Sequence, residues 1–151
     1  MPLIEWNTQY SVGIETMDKQ HQKLIGIINS LYEEITKGSG RDAVGGAIKQ
    51  LKEYGSYHFQ EEEKFMKLFG FPNLDKHKTL HVEYIDSIND FEEKFTLSNS
   101  SMTLEVMNFL KDWLTKHIMN MDKKYGKFIL NKAQKIKQAK ESSNIPTNNK
   151  P

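Results

Sequence analysis

The stretch Tyr57-His58-Phe59-Gln60-Glu61-Glu62-Glu63 lies within a longer segment, about Asp42 to Leu68, that carries a single apolar period. Val44, Leu51, His58 and Phe65 recur at seven-residue intervals, with Ile48, Gly55 and Glu62 as a neighbouring row. This is the pattern of a helix with one buried stripe. Gly45, Gly46 and Gly55 weaken its intrinsic propensity by up to about 1 kcal/mol each relative to Ala, so packing must hold it. On such a helix His58 and Glu62 leave the same face one turn apart. An imidazole and a carboxylate so placed either clip a metal ion or share a surface hydrogen bond, and the other histidines bear on which.

Working outward, Gly70, Pro72 and Asn73 end this helix, because Gly frees the backbone and Pro disfavours helix in the residue before it. On the N-terminal side, from Asp18, His21, Leu24, Ile25, Ile28, Leu31, Tyr32 and Ile35 recur at three and four. That spacing predicts a first helix, with Thr16 as its cap and Gly38-Ser39-Gly40 as its stop. Residues 1–15 show no sustained period and are expected as an ordered arm packed on the helices. A third helix begins near Leu74, capped by Asn73, with His77, Leu80, His81, Tyr84, Ile88, Phe91 and Phe95 on one face. After the turn Leu97-Ser98-Asn99-Ser100-Ser101, a fourth carries Val106, Phe109, Leu110, Trp113, Leu114, His117 and Met121. Tyr125, Phe128, Ile129 and Leu130 suggest a short extra helix.

No stretch alternates with the period of a strand, and the links between helices are short, which makes successive helices antiparallel. The expectation is an all-α, antiparallel up-down-up-down four-helix bundle with an N-terminal arm and a short C-terminal helix. The bundle should occupy residues 1–130. Residues 131–151, rich in Lys, Asn, Ser and Gln, are expected as a polar, partly disordered tail, helical at first and then disordered.

Composition narrows the function classes. A chain of 151 residues suits one domain. Twenty-one Lys and Arg against twenty Asp and Glu give a formal net charge of +1, too little for a broad field toward nucleic acid or a membrane. There is no cysteine, which removes disulfides and thiolate chemistry and leaves His, Asp and Glu as strong ligands. The opening residues Met1-Pro2-Leu3-Ile4-Glu5 hold neither a basic leader nor an apolar run for export, so a cytoplasmic protein is expected.

All five histidines, at 21, 58, 77, 81 and 117, fall on the apolar stripes. One core-facing histidine is usually satisfied by a hydrogen bond; five, with none elsewhere, are hard to explain that way. In an antiparallel bundle the start of helix one, the last third of helix two, the start of helix three and the end of helix four share one end of the molecule. His77 and His81 repeat the one-turn spacing by which two imidazoles grip one metal. Asp122 lies five residues after His117, about 140° round an ideal helix, so it requires a local distortion or a reach across the bundle. Buried carboxylates are costly without compensation, and inward-facing Glu62 and Asp122 therefore imply a cation. For Asp122, a solvated position beside Lys123 and Lys124 is an equal alternative on these grounds.

Five imidazoles and two carboxylates exceed what one ion can take, so two ions are the natural reading. With both carboxylates bridging, they fill nine of the twelve positions of two octahedra; a bridging oxide or hydroxide takes two more and leaves one open. Imidazole suits iron, copper, zinc and nickel alike. No Glu stands three residues before a His, unlike the carboxylate-rich di-iron enzymes, and a histidine-rich set favours reversible binding over oxygen activation.

The run Val12-Gly13-Ile14, Met17-Asp18, Gln20-His21, His58-Phe59-x-x-Glu62-Glu63, His77-x-x-x-His81 and Trp113-Leu114-x-x-His117-Ile118-x-x-x-Asp122-Lys123-x-Tyr125 resembles the hemerythrins of bacterial type, over about residues 3 to 130. All seven ligand positions stand at that family's spacings. The resemblance implies two iron ions in a non-haem di-iron centre with a bridging oxide or hydroxide. His77, His81 and His117 would complete one iron, His21 and His58 would hold the other and leave its sixth site for oxygen, and Glu62 and Asp122 would bridge. Leu114, Trp113, Leu24 and Ile25 are the candidates for a dry oxygen pocket. The expected function is reversible oxygen binding for carriage, storage or delivery by a non-enzyme, a monomer whose partners are dioxygen and an oxygen-consuming enzyme or reductase. An oxygen or redox sensor, or a di-iron enzyme acting on peroxide or nitric oxide, is the alternative.

Overall fold

The computed structural model describes residues 2–39, 41–97 and 103–144. Among them the regular structure is helical throughout: α1 Glu15–Thr36, α2 Arg41–Phe69, α3 Leu74–Leu97, α4 Thr103–Lys116 and α5 Lys123–Asn144, with a 3-10 turn at Thr8–Tyr10. α1 packs on α2 and α4, and α2 on α3. Tyr84 and Phe91 of α3 meet Phe109 and Trp113 of α4 ring to ring, which closes the four-helix bundle. The apolar stripes supply its core: Leu24, Ile28 and Leu31 of α1, Leu51 and Met66 of α2, Tyr84 and Ile88 of α3, and Leu110 and Leu114 of α4 are all buried. The turn at Ser98–Ser101, Gly40 and the Val106 side chain lie outside the described residues.

Two helix ends follow the glycine rule. At the end of α1 the Gly38 N–H reaches the Ile35 carbonyl (3.1 Å) and the Ser39 N–H the Glu34 carbonyl (2.9 Å), with Gly38 at φ 70°. Gly70, also at φ 70°, repeats this on α2, with its own N–H on Lys67 and that of Phe71 on Met66. This is the Schellman arrangement, and it needs a left-handed residue that only Gly adopts without strain.

Three expectations change. Helix α1 starts at Glu15 rather than at Asp18, its capping position is Ile14 without a side-chain cap, and Thr16 is exposed. The physical reason is that Asp18 serves the arm: its carboxylate accepts from Ser11 Oγ (2.5 Å) and from the Val12 N–H (2.8 Å). The arm is then clamped by Asn29, which exchanges two 2.9 Å hydrogen bonds with the backbone of Ile4. Second, the short extra helix is the 22-residue α5, continuous with α4. Third, the helical start expected of the tail is long, since α5 runs to Asn144 with residues 131–143 exposed on every face, and the disorder expected beyond it falls on residues 145–151, outside the described residues.

Between α4 and α5 the chain makes a π-helical turn, His117–Asp122. The Lys123 N–H bonds to the Ile118 carbonyl five residues back. An i→i+5 turn is wider than an α turn, so it brings Asp122 round over His117. The distortion expected from the five-residue spacing is therefore present, and the bundle interior recovers the carboxylate.

Candidate metal centre

The helix positions deliver the seven side chains to one buried place. His21, Glu62, His58, His77, Asp122 and His81 are each at most 2% exposed, and His117 is 5% exposed. All five imidazoles present Nε2 to the two carboxylates. His58 Nε2 lies 3.0 Å from Glu62 Oε1, and His81 Nε2 lies 3.4 Å from the same oxygen. His77 and His117 both approach Asp122 Oδ1, each at 3.0 Å. His21 Nε2 stands between the two carboxylates, 3.1 Å from Asp122 Oδ2 and 3.4 Å from Glu62 Oε2.

The ligand atoms fall into two overlapping groups, each with its atoms within 4.8 Å of one another: Glu62, His77, His81, His117 and Asp122 in one, and His21, His58, Glu62 and Asp122 in the other. Both carboxylates belong to both groups. This arrangement fits a pair of cations better than a hydrogen-bonded core. His21 Nε2, His77 Nε2, Glu62 Oε1 and both Asp122 oxygens lack a hydrogen bond of acceptable geometry despite these short separations. The nitrogens and oxygens converge on common points instead of aligning with each other. His81 Nε2 and His117 Nε2 also face one another at 3.1 Å, an approach that two lone pairs tolerate only with a proton or a cation between them. The site can hold metal.

Without metal the cluster holds itself by charge. Burial opposes a proton on His21, but the adjoining carboxylates of Asp122 and Glu62 carry its pKa up to about 10. Burial likewise opposes protonation of His81, and Glu62 and Glu63 raise it to about 9. For His117 burial prevails over Asp122, and the ring is pushed below its ordinary value. Burial would raise Glu62 and Asp122, yet the surrounding imidazoles hold both below the usual carboxylate range.

Three supporting residues, quoted in the run that carries the resemblance, were given no role there. His58 Nδ1 donates to Gln20 Oε1 at 2.7 Å, and His81 Nδ1 donates to Glu63 Oε2 at 2.8 Å. The buried Tyr125 hydroxyl donates to Glu62 Oε2. Besides their place in that run, their sequence signal is adjacency: Gln20 precedes His21, Glu63 follows Glu62, and Tyr125 is one turn beyond Met121. Aromatic rings fix the remaining faces, with Phe59 stacked on His81 (centroids 3.9 Å apart) and Trp113 on His117 (4.3 Å). Of the four pocket candidates, Leu24, Ile25 and Leu114 are buried in the core. The half-buried Trp113 lies against the three-histidine group.

The hemerythrin HHE cation-binding domain matches residues 12–129. The chain belongs to the hemerythrin family. It is 30% identical to a bacteriohemerythrin of Clostridium acetobutylicum over 80% of this chain and 96% of that one. It is 28% identical to the bacteriohemerythrin of Methylococcus capsulatus over 83% and 96% of the two chains. Among solved structures, a wild-type hemerythrin superposes with a TM-score of 0.76 at 27% identity, covering 84% of this chain and 98% of that one. The fold and the His/Glu/Asp cluster are thus those of a hemerythrin-family protein. Among the described residues no helix is long and apolar enough to cross a membrane.

Proposed function

We propose that this hemerythrin-family protein binds dioxygen reversibly at a non-haem di-iron centre, for carriage, storage or delivery to an oxygen-consuming enzyme. One observation carries the reading: two ligand groups share Glu62 and Asp122, but one has three imidazoles and the other two. His77, His81 and His117 would hold one ion, His21 and His58 the other, and the shared carboxylates would bridge. The shortfall of one imidazole leaves room for an external ligand on the His21/His58 side. When bound, two ferrous ions would supply the electrons that oxygen binding consumes.

The chain's own residues do the rest. Glu62 is held by the Tyr125 hydroxyl, which keeps one oxygen from turning away. The rings of His58 and His81 are fixed through Nδ1, so Nε2 stays turned inward. Leu24, Ile25 and Leu114, all buried, would form the apolar wall, and a dry wall would keep water from the site.

A sensor is the second reading. It is favoured by the contact of the N-terminal arm with α5 beside Tyr125, which would let a change at Glu62 reach the surface. The deciding experiment loads the protein with iron, reduces it without air and admits oxygen while the visible spectrum is recorded. A charge-transfer band that appears with oxygen and vanishes on its removal is expected of a carrier. Immediate conversion to a static ferric spectrum would overturn reversible binding and favour sensing, and turnover of added peroxide or nitric oxide would favour an enzyme.

A further inference from the structure

Of the five imidazoles, His58 and His81 have Nδ1 bonded to a second side chain, and the two partners differ in charge. His58 donates to the neutral amide of Gln20 at 2.7 Å, and His81 to the carboxylate of Glu63 at 2.8 Å. The reach is nearly equal, so the two supports differ in chemistry rather than in geometry. A charged acceptor forms the stronger hydrogen bond and polarises the imidazole further, which makes the opposite nitrogen a better electron donor. Nδ1 of His21 and of His77 has no partner, so these two rings contribute no comparable difference.

Glu63 is also placed where a carboxylate is tolerated. Its side chain is 23% exposed, on an open cleft of about 200 Å³ between α2 and α3 that is lined by Phe59, Glu63, His81 and Ile85 among others. Water in that cleft offsets the desolvation that a fully buried charge would suffer. Gln20 is partly buried and brings no charge to the other group.

We infer that Glu63 and Gln20 are positioning residues that rank the two metal positions, the carboxylate-backed three-histidine position being the tighter and the first to fill. This rests on the two-ion reading above. The extra imidazole and the charged support act in the same direction. Stepwise loading would then proceed from the His77/His81/His117 position to the His21/His58 position, whose amide-backed ligand keeps it the weaker.

Cobalt(II) alone, titrated into metal-free protein and followed by calorimetry and visible absorption, tests this. Wild type should bind two ions in two resolvable events. E63Q keeps an acceptor for His81 but removes the charge, and should weaken the tighter event about tenfold while leaving the other in place. Q20E should tighten the weaker event, again by about tenfold, a gain that simple damage to the fold does not produce. Unchanged affinities in E63Q, or both substitutions acting on the same event, would overturn the ranking. If E63Q does not fold by circular dichroism, Q20E decides alone, and failure to tighten either event overturns the proposal. Wild type that never binds a second ion would instead remove the two-ion centre itself.

Discussion

Leu114 stands one turn before His117, 1% exposed, within the apolar core. As a wall of the proposed oxygen pocket it excludes water; as a core residue it fills space. Leu114→Ala should show both roles, at different readouts. The cavity should lower stability by about 2–5 kcal/mol in urea unfolding. The iron-loaded, oxygenated protein should decay to its static ferric spectrum several-fold faster, and an unchanged decay in air would remove Leu114 from the pocket. At this scale the convergence of His58, Glu62, His77 and His81 was legible from the sequence, because His58/Glu62 and His77/His81 repeat the one-turn spacing. Gln20, Glu63 and Tyr125 were not, since a polar residue beside a ligand is as commonly a solvated one, and only the facing element decides.

At the scale of the element, α5 and the arm meet at one point. A Cβ on Gly126 would lie 2.3 Å from the Val12 carbonyl oxygen and 3.1 Å from the Val12 Cβ. Both are parts of the chain that cannot swing aside, and Val12 is held by Asp18. Gly126→Ala would gain up to about 1 kcal/mol in helix propensity. The clash should outweigh it, giving a net loss of about 1–3 kcal/mol as the arm is forced off. Thermal melting compared with wild type measures this, and a raised Tm would mean that the arm is not packed there. The π-helical turn belongs to this scale too. Its need was readable from the five-residue spacing of His117 and Asp122, but not which of the two solutions the chain would take.

The molecule as a whole confines a dense cluster of ionisable groups, and that makes the metal-free bundle pH-sensitive. Glu62 and Asp122 are held below their ordinary values of 4.5 and 3.8, so their contribution is present above those values and lost as pH falls. His21 and His81 are raised from 6.5 to about 10 and about 9, so theirs is complete below 6.5 and lost as pH rises toward those values. His117, which burial pushes below 6.5, costs stability on the acid side, and that cost lifts as pH rises to 6.5, before the loss from His21 and His81 sets in. The Tm of metal-free protein should therefore peak between about pH 4.5 and 6.5 and fall by the order of 5 °C by pH 10. A flat profile would show that the cluster is not coupled to folding. Four helices, their antiparallel order and the seven inward ligands were determined by the sequence itself, because apolar period and short links leave few alternatives. The tertiary structure alone decided the continuity of α4 with α5, the arm's grip on Asp18 and Asn29, and the unequal supports behind His58 and His81. Each of these depends on which surfaces meet across the bundle, and a one-dimensional period carries no record of what lies opposite.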